Sequence, residues 1–217
     1  LKVTSMASHM DLGQADSVDV FKRRMDFAKA IGARMILTNA TRKPRQETFY
    51  SNISKLASHA EKLDLIIALE NPGDGQDQLL GTGTEGIAVL DKVGSNRIRL
   101  NYDFSNVFTY SKGTKRPEGE LEAVLPYVSH LHLKNVRPWE GAWAVCGLDE
   151  GVIDYRRLFQ QFPVLSSIPM SIELPIRFGY DGQFNFMLRR ELTTPPLESI
   201  QRMLKDSLDY LFEVLMI

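Results

Sequence analysis

Short apolar runs rich in β-branched residues alternate along the whole chain with segments of helical periodicity. Six runs stand out: Leu1–Ser8, Arg34–Asn39, Leu65–Glu70, Ile98–Asp103, Val128–Lys134 and Met170–Leu174. Their starts fall 33, 31, 33, 30 and 42 residues apart, the length of one βα unit, which predicts parallel strands joined by helical crossovers. In the gaps, Ser17–Ile31 carries Phe21, Met25, Ala28 and Ile31 as one apolar stripe, and Gly32 follows as its terminator. Gln46–Lys62 carries Phe49, Ile53, Leu56 and Ala60 on one face, and Thr82 with Glu85 has the spacing of a capping box for a helix that Gly94 ends. Glu118–Tyr127 and Tyr155–Phe162 fill the next two gaps. The last helix, Leu197–Met216, is entered through Thr193–Pro196 and places Ile200, Leu204, Leu208, Leu211 and Leu215 at helical spacing, so it is predicted to close against the sheet wall. No Gly/Ser-rich or low-complexity linker interrupts the pattern, which predicts one domain over residues 1–217.

Composition narrows the partners. With 26 basic and 27 acidic residues in 217 and 43% apolar residues, the chain has the make-up of a folded globular protein and lacks the field a nucleic-acid or anionic-membrane binder uses. Its longest apolar stretches, LDLIIAL and FEVLMI, fall far short of the roughly 18 residues that read as a membrane span. The single cysteine, Cys146, cannot form an internal disulfide, and no signal-peptide pattern opens the chain, so a cytoplasmic location is expected.

Parallel βα units place their ligand-binding loops at the C-terminal edge of the sheet. The strand ends carry His9, Asn39, Glu70 with Asn71, Asp103, His132 and Glu173. Three carboxylates and one imidazole, Glu70, Asp103, Glu173 and His132, make an oxygen-rich donor set that suits Mn²⁺, Mg²⁺, Co²⁺ or Zn²⁺. Each carboxylate alone is equally well placed for a helix N-cap or a rim ion pair. His130 and His132 alternate onto the same face as Lys134; His130, the deeper, is read as a hydrogen-bonded core residue and His59 as a solvated helix residue. Trp139 and Trp143 flank Gly141 in a predicted loop, as a packing plug or a substrate lid.

The strings LEN at Leu69–Asn71, YDFSN at Tyr102–Asn106, HLHLKNVR at His130–Arg137, GLDEGVIDY at Gly147–Tyr155 and IEL at Ile172–Leu174 resemble, in order and spacing, the sugar phosphate isomerase/epimerase family of xylose isomerase-like (β/α)8 TIM barrels. The resemblance implies one divalent metal held by Glu70, Asp103, His132 and Glu173, with substrate contact at Arg137. It also implies that the six runs are the third to eighth βα units, the first two (about sixty residues) lying outside the sequence. Asn106 stands where the ketose 3-epimerases carry histidine and other members of the family carry asparagine. The implied chemistry is proton abstraction beside a polarised carbonyl of a ketose or ketose phosphate, with Glu70 and Glu173 moving protons on opposite faces. His9, Asn71, Lys134 and Arg137 are candidates for substrate contacts, and Arg137 and Arg177 are cations for a phosphorylated substrate. A small-molecule sugar partner and a homo-oligomer are the implied assemblies. The rival readings are a sugar or cyclitol dehydratase on the same metal site, an endonuclease IV-like hydrolase with a histidine-rich three-zinc centre, and a non-catalytic barrel protein.

Overall fold

The computed structural model describes residues 2–189 and 195–216. Leu1 of the first predicted strand and Thr193–Thr194 of the predicted helix entry lie outside the described residues. Six parallel strands follow the order β1 (Ser5–Ala7), β2 (Met35–Asn39), β3 (Ile66–Glu70), β4 (Ile98–Asp103), β5 (Val128–Leu133) and β8 (Met170–Ile172). These are the six predicted runs. The outer two are shorter than their patterns because, among the described residues, β1 pairs with β2 alone and β8 with β5 alone, so each gains ladder bonds on one side. The chain packs as two compact units, Leu1–Pro72 with Gln76–Tyr102 and Glu120–His130, and Gly73–Gly75 with Asp103–Gly119 and Leu131–Ile217.

In the first unit, β2 and β3 are buried almost throughout, which explains why they read as continuous apolar runs. Their registers set Asn39 beside Glu70 and Glu70 beside Asn101. Helix α1 (Ser17–Ala30) buries Phe21, Met25 and Ala28, and α2 (Gln46–Leu63) buries Phe49, Ile53, Leu56 and Ala60. Ile31, assigned to the α1 stripe by periodicity, is partly exposed because it has already left the helix, whose end Gly32 completes at φ +83°. Thr82 and Glu85 form the expected capping box of α3 (Gly83–Val93), and Gly94 closes it in the left-handed conformation. The predicted helix over Glu118–Tyr127 is broken: only α5 (Leu121–Val124) is α-helical, between 3₁₀ turns at Pro117–Gly119 and Leu125–Tyr127. Pro126 cannot donate the amide bond that would carry the helix on.

The second unit contains α4 (Phe104–Tyr110), α6 (Tyr155–Gln161), α7 (Leu197–Leu215) and a four-stranded antiparallel sheet. That sheet is built from β6 (Asn135–Trp139), β7 (Ala142–Cys146), β9 (Phe178–Tyr180) and β10 (Phe186–Leu188). The tryptophan segment is thus a hairpin, turned by Glu140 and Gly141 at φ 48° and 77°, the two left-handed residues of a type I′ turn. Trp143 stacks on Phe184 at 5.1 Å and meets Phe108 edge-on at 5.0 Å, a packing role, whereas Trp139 stays exposed. In α7 the buried line is Ser207, Leu211 and Val214. Of the predicted stripe only Leu211 is buried; Leu204, Leu208 and Leu215 remain exposed.

Asn135 ties the loop before α6 to the end of β5. Its Oδ1 accepts from Val136 N and Ile153 N, and its Nδ2 donates to the carbonyls of Leu148 and Ile153, at 2.8–3.0 Å. All four hydrogen-bonding positions of the buried amide are used. Asn135→Ala strands these groups and is expected to cost about 3 kcal/mol, seen as a fall of roughly 6–12 °C in thermal unfolding. A loss below about 1 kcal/mol would mean that water replaces the side chain.

Candidate metal centre

Asp103 ends β4 and begins α4, so its carboxylate has two tasks. Oδ1 accepts from Asn106 N at 2.8 Å as the helix N-cap, and Oδ2 meets Lys134 Nζ at 2.9 Å. The cap reading and the ligand reading of this residue are therefore compatible, because one oxygen serves each. His132 lies on β5 opposite Ser171 of β8, and Glu173 follows β8, its amide bonded to Leu133 O at 2.9 Å. This register carries His132 and Glu173 to the same edge as Asp103, and one donor atom from each of the three lies within 4.8 Å of the others. Two donors bound to one ion at about 2.0–2.4 Å can be no more than about 4.8 Å apart, so the spacing fits a single divalent cation. Asp103 is fully buried and His132 nearly so. Carboxylate oxygens with one imidazole are the donors that magnesium, manganese or zinc accept.

Lys134 is drawn into this cluster. Its Nζ lies 2.7 Å from Glu173 Oε2 as well as 2.9 Å from Asp103 Oδ2, and the residue is only 5% exposed. Tyr155 fixes its backbone: the phenol accepts from Lys134 N at 2.9 Å and donates to Lys134 O at 2.6 Å. Complete burial, with the Asp103 charge nearby, pushes the Tyr155 phenol well above its ordinary range, so it stays protonated. Tyr180 of β9 is a second phenol within the field of Lys134, Asp103 and Glu173; burial raises it against a hydrogen bond with the Thr109 side chain. Neither tyrosine has a role marked by its place in the strand-end pattern. Tyr155 does fall in the GLDEGVIDY string, but nothing local marks Tyr180, which arrives through the pairing of β9 with β7.

In the first unit, Glu70 is buried at the end of β3, followed by buried Asn71. His9 Nδ1 lies 3.5 Å from Glu70 Oε2 and 3.2 Å from Asn39 Oδ1, so three predicted strand-end residues meet there. His130 is the core histidine expected, 2.9 Å from Asn101 Oδ1, and His59 pairs with Asp26 at 2.8 Å on the helical surface. Among the described residues, neither belongs to a group of His, Cys, Asp and Glu side chains that could hold a metal. Arg137 stands on β6, half-exposed, 3.9 Å from Glu150 and over the Trp139 ring. Arg177 is exposed. Burial, with the Glu150 charge nearby, raises the Cys146 thiol to about 12, which leaves it unreactive at neutral pH.

The sequence matches the model of the xylose isomerase-like TIM barrel family over residues 3–211. The chain belongs to this family. Among solved structures it is similar to a xylose isomerase-like TIM barrel protein from Mycobacterium smegmatis in complex with magnesium, at 18% identity and TM-score 0.69, over 99% of this chain and 73% of that one. It is similar to D-psicose 3-epimerase from Clostridium cellulolyticum H10 with D-tagatose, at 15% identity and TM-score 0.71, over 94% and 74% of the two chains. A probable 3-DHS dehydratase from Bacillus anthracis, involved in petrobactin synthesis, is similar at 15% identity and TM-score 0.66, over 79% and 69%. At such identities these likenesses speak for the fold. No curated protein matches the sequence significantly. No described helix is long and apolar enough to cross a membrane.

Proposed function

We propose that this xylose isomerase-like barrel protein is a divalent-metal-dependent isomerase or epimerase of a ketose or ketose phosphate. The observation that carries the reading is the convergence of Asp103, His132 and Glu173 at the strand ends, with donor atoms within 4.8 Å. Glu70 is the proposed fourth ligand. It is buried at the C-terminal end of β3, the edge at which parallel βα units bind their ligands.

The ion, when bound, supplies Lewis-acid polarisation of a carbonyl and so acidifies the neighbouring C–H. The protein's residues do the rest. A carboxylate oxygen of Glu70 or Glu173 that is not committed to the ion takes the proton, and the other glutamate returns one to the opposite face, which inverts the centre. Return to the adjacent carbon gives isomerisation. His9, Asn71, Lys134 and Arg137 are the proposed contacts to substrate hydroxyl or phosphate groups. The reaction needs no nucleic acid and no membrane; cytoplasmic residence and homo-oligomeric assembly belong to the same proposal.

Metal content decides between the readings. Inductively coupled plasma mass spectrometry on protein purified without chelators is expected to find about one divalent ion per chain, lost in Glu70→Ala. Ketoses and their phosphates are then screened for C–H exchange in D₂O, with product analysis to separate epimerisation from loss of water. Near three zinc ions per chain would favour a hydrolytic nuclease. No ion after metal loading would favour a non-catalytic barrel.

A further inference from the structure

Lys134 is placed where a metal ligand set would not obviously want a cation. Its ammonium touches one oxygen each of Asp103 and Glu173, at 2.9 and 2.7 Å, and these are two of the three converging donors. The lysine cannot retreat as a whole residue. Its amide and carbonyl are both held by the fully buried Tyr155 hydroxyl, and the next residue, Asn135, is fixed by four hydrogen bonds. Only rotation of the four-carbon stem moves the charge.

Glu173 Oε2, engaged in a short charge-assisted hydrogen bond with the ammonium, has given up lone-pair density that a divalent ion needs, and Asp103 Oδ2 holds the same ammonium as an ion pair. Two cations held against the same pair of carboxylates also repel each other, most where Asp103 is fully buried. We propose that Lys134 competes with the divalent ion for Asp103 and Glu173 and thereby sets the metal affinity of the site. This rests on the metal-dependent reading above. The opposite role is a lysine that holds the two carboxylates in place for the ion. That role predicts the opposite sign when the charge is removed.

The test is Mn²⁺ binding to the full chain, followed through the electron paramagnetic resonance signal of free Mn²⁺. Lys134→Met is expected to bind Mn²⁺ at least tenfold more tightly than wild type and to show a larger thermal stabilisation by saturating Mn²⁺. Lys134→Gln, which keeps a polar end without the charge, is expected to move the same way and serves if the methionine variant folds poorly. Wild type supplies an independent readout: acetylation of Lys134 by an N-hydroxysuccinimide ester, read by mass spectrometry, is expected to rise severalfold with Mn²⁺ as the ammonium leaves the carboxylates. Equal or weaker Mn²⁺ binding in the variants, or protection of Lys134 by Mn²⁺, overturns the competition while leaving the metal-dependent function standing. Failure of wild type and both variants to bind Mn²⁺ at all overturns both.

Discussion

Glu173→Gln is expected to lower turnover about a thousandfold while leaving the fold intact. The amide is isosteric and keeps an oxygen that can accept from Lys134 Nζ, now 2.7 Å from Glu173 Oε2. What it loses is the charge and the basicity, and a positioned general base is worth about 10²–10⁴ in rate. The Glu173 side chain is about a third exposed, so water screens much of its pairing with Lys134, and the unfolding free energy should change by no more than about 1 kcal/mol. The check is solvent deuterium exchange into the substrate, run beside product formation and a thermal melt. Activity within tenfold of wild type would remove Glu173 from the proton-transfer role, whatever its part in holding the ion.

Asp103→Ala is expected to be the most destabilising single change at the site. The carboxylate caps α4 through Asn106 N and compensates the Lys134 charge from a fully buried position. Loss of an N-cap costs about 1 kcal/mol, and removing one partner of a buried ion pair costs about 3–5 kcal/mol. Glu173 retains part of the pairing, which puts the expected loss at about 4 kcal/mol, measured by denaturant unfolding. Asp103→Asn separates the two tasks, because its amide oxygen can still accept from Asn106 N; it should recover about 1 kcal/mol of stability but not metal binding. A loss under about 1 kcal/mol in Asp103→Ala would show that Lys134 finds equal compensation elsewhere.

Much of the fold was legible because its rules are local. The six strands followed from apolar runs at the spacing of a βα unit, and α2 from a stripe of four residues, all buried in the structure. The start of α3 followed from Thr82 and Glu85, whose mutual hydrogen bonds need only three residues of separation. The errors had physical causes too. Pro126 cut a helix that periodicity extended through it, and short segments such as Phe178–Tyr180 and Phe186–Leu188 carry too little pattern to announce an antiparallel sheet. In α7 the apolar residues form one wide stripe of which only one side is covered, so periodicity alone could not select the Ser207, Leu211 and Val214 line that is buried.

The candidate site divides along the same boundary. Residue order alone put carboxylates and an imidazole at the ends of parallel strands, since alternation along a strand and the βα connection are properties of short segments. Tertiary structure decided which of them meet. The β5–β8 register brings Glu173 to Lys134 across 39 residues of chain, and the phenol of Tyr155 pins the lysine backbone from 21 residues away. A lysine read from sequence as a substrate contact therefore sits between two of the proposed metal ligands. Its partners are chosen by strand pairing and burial, which depend on residues far along the chain.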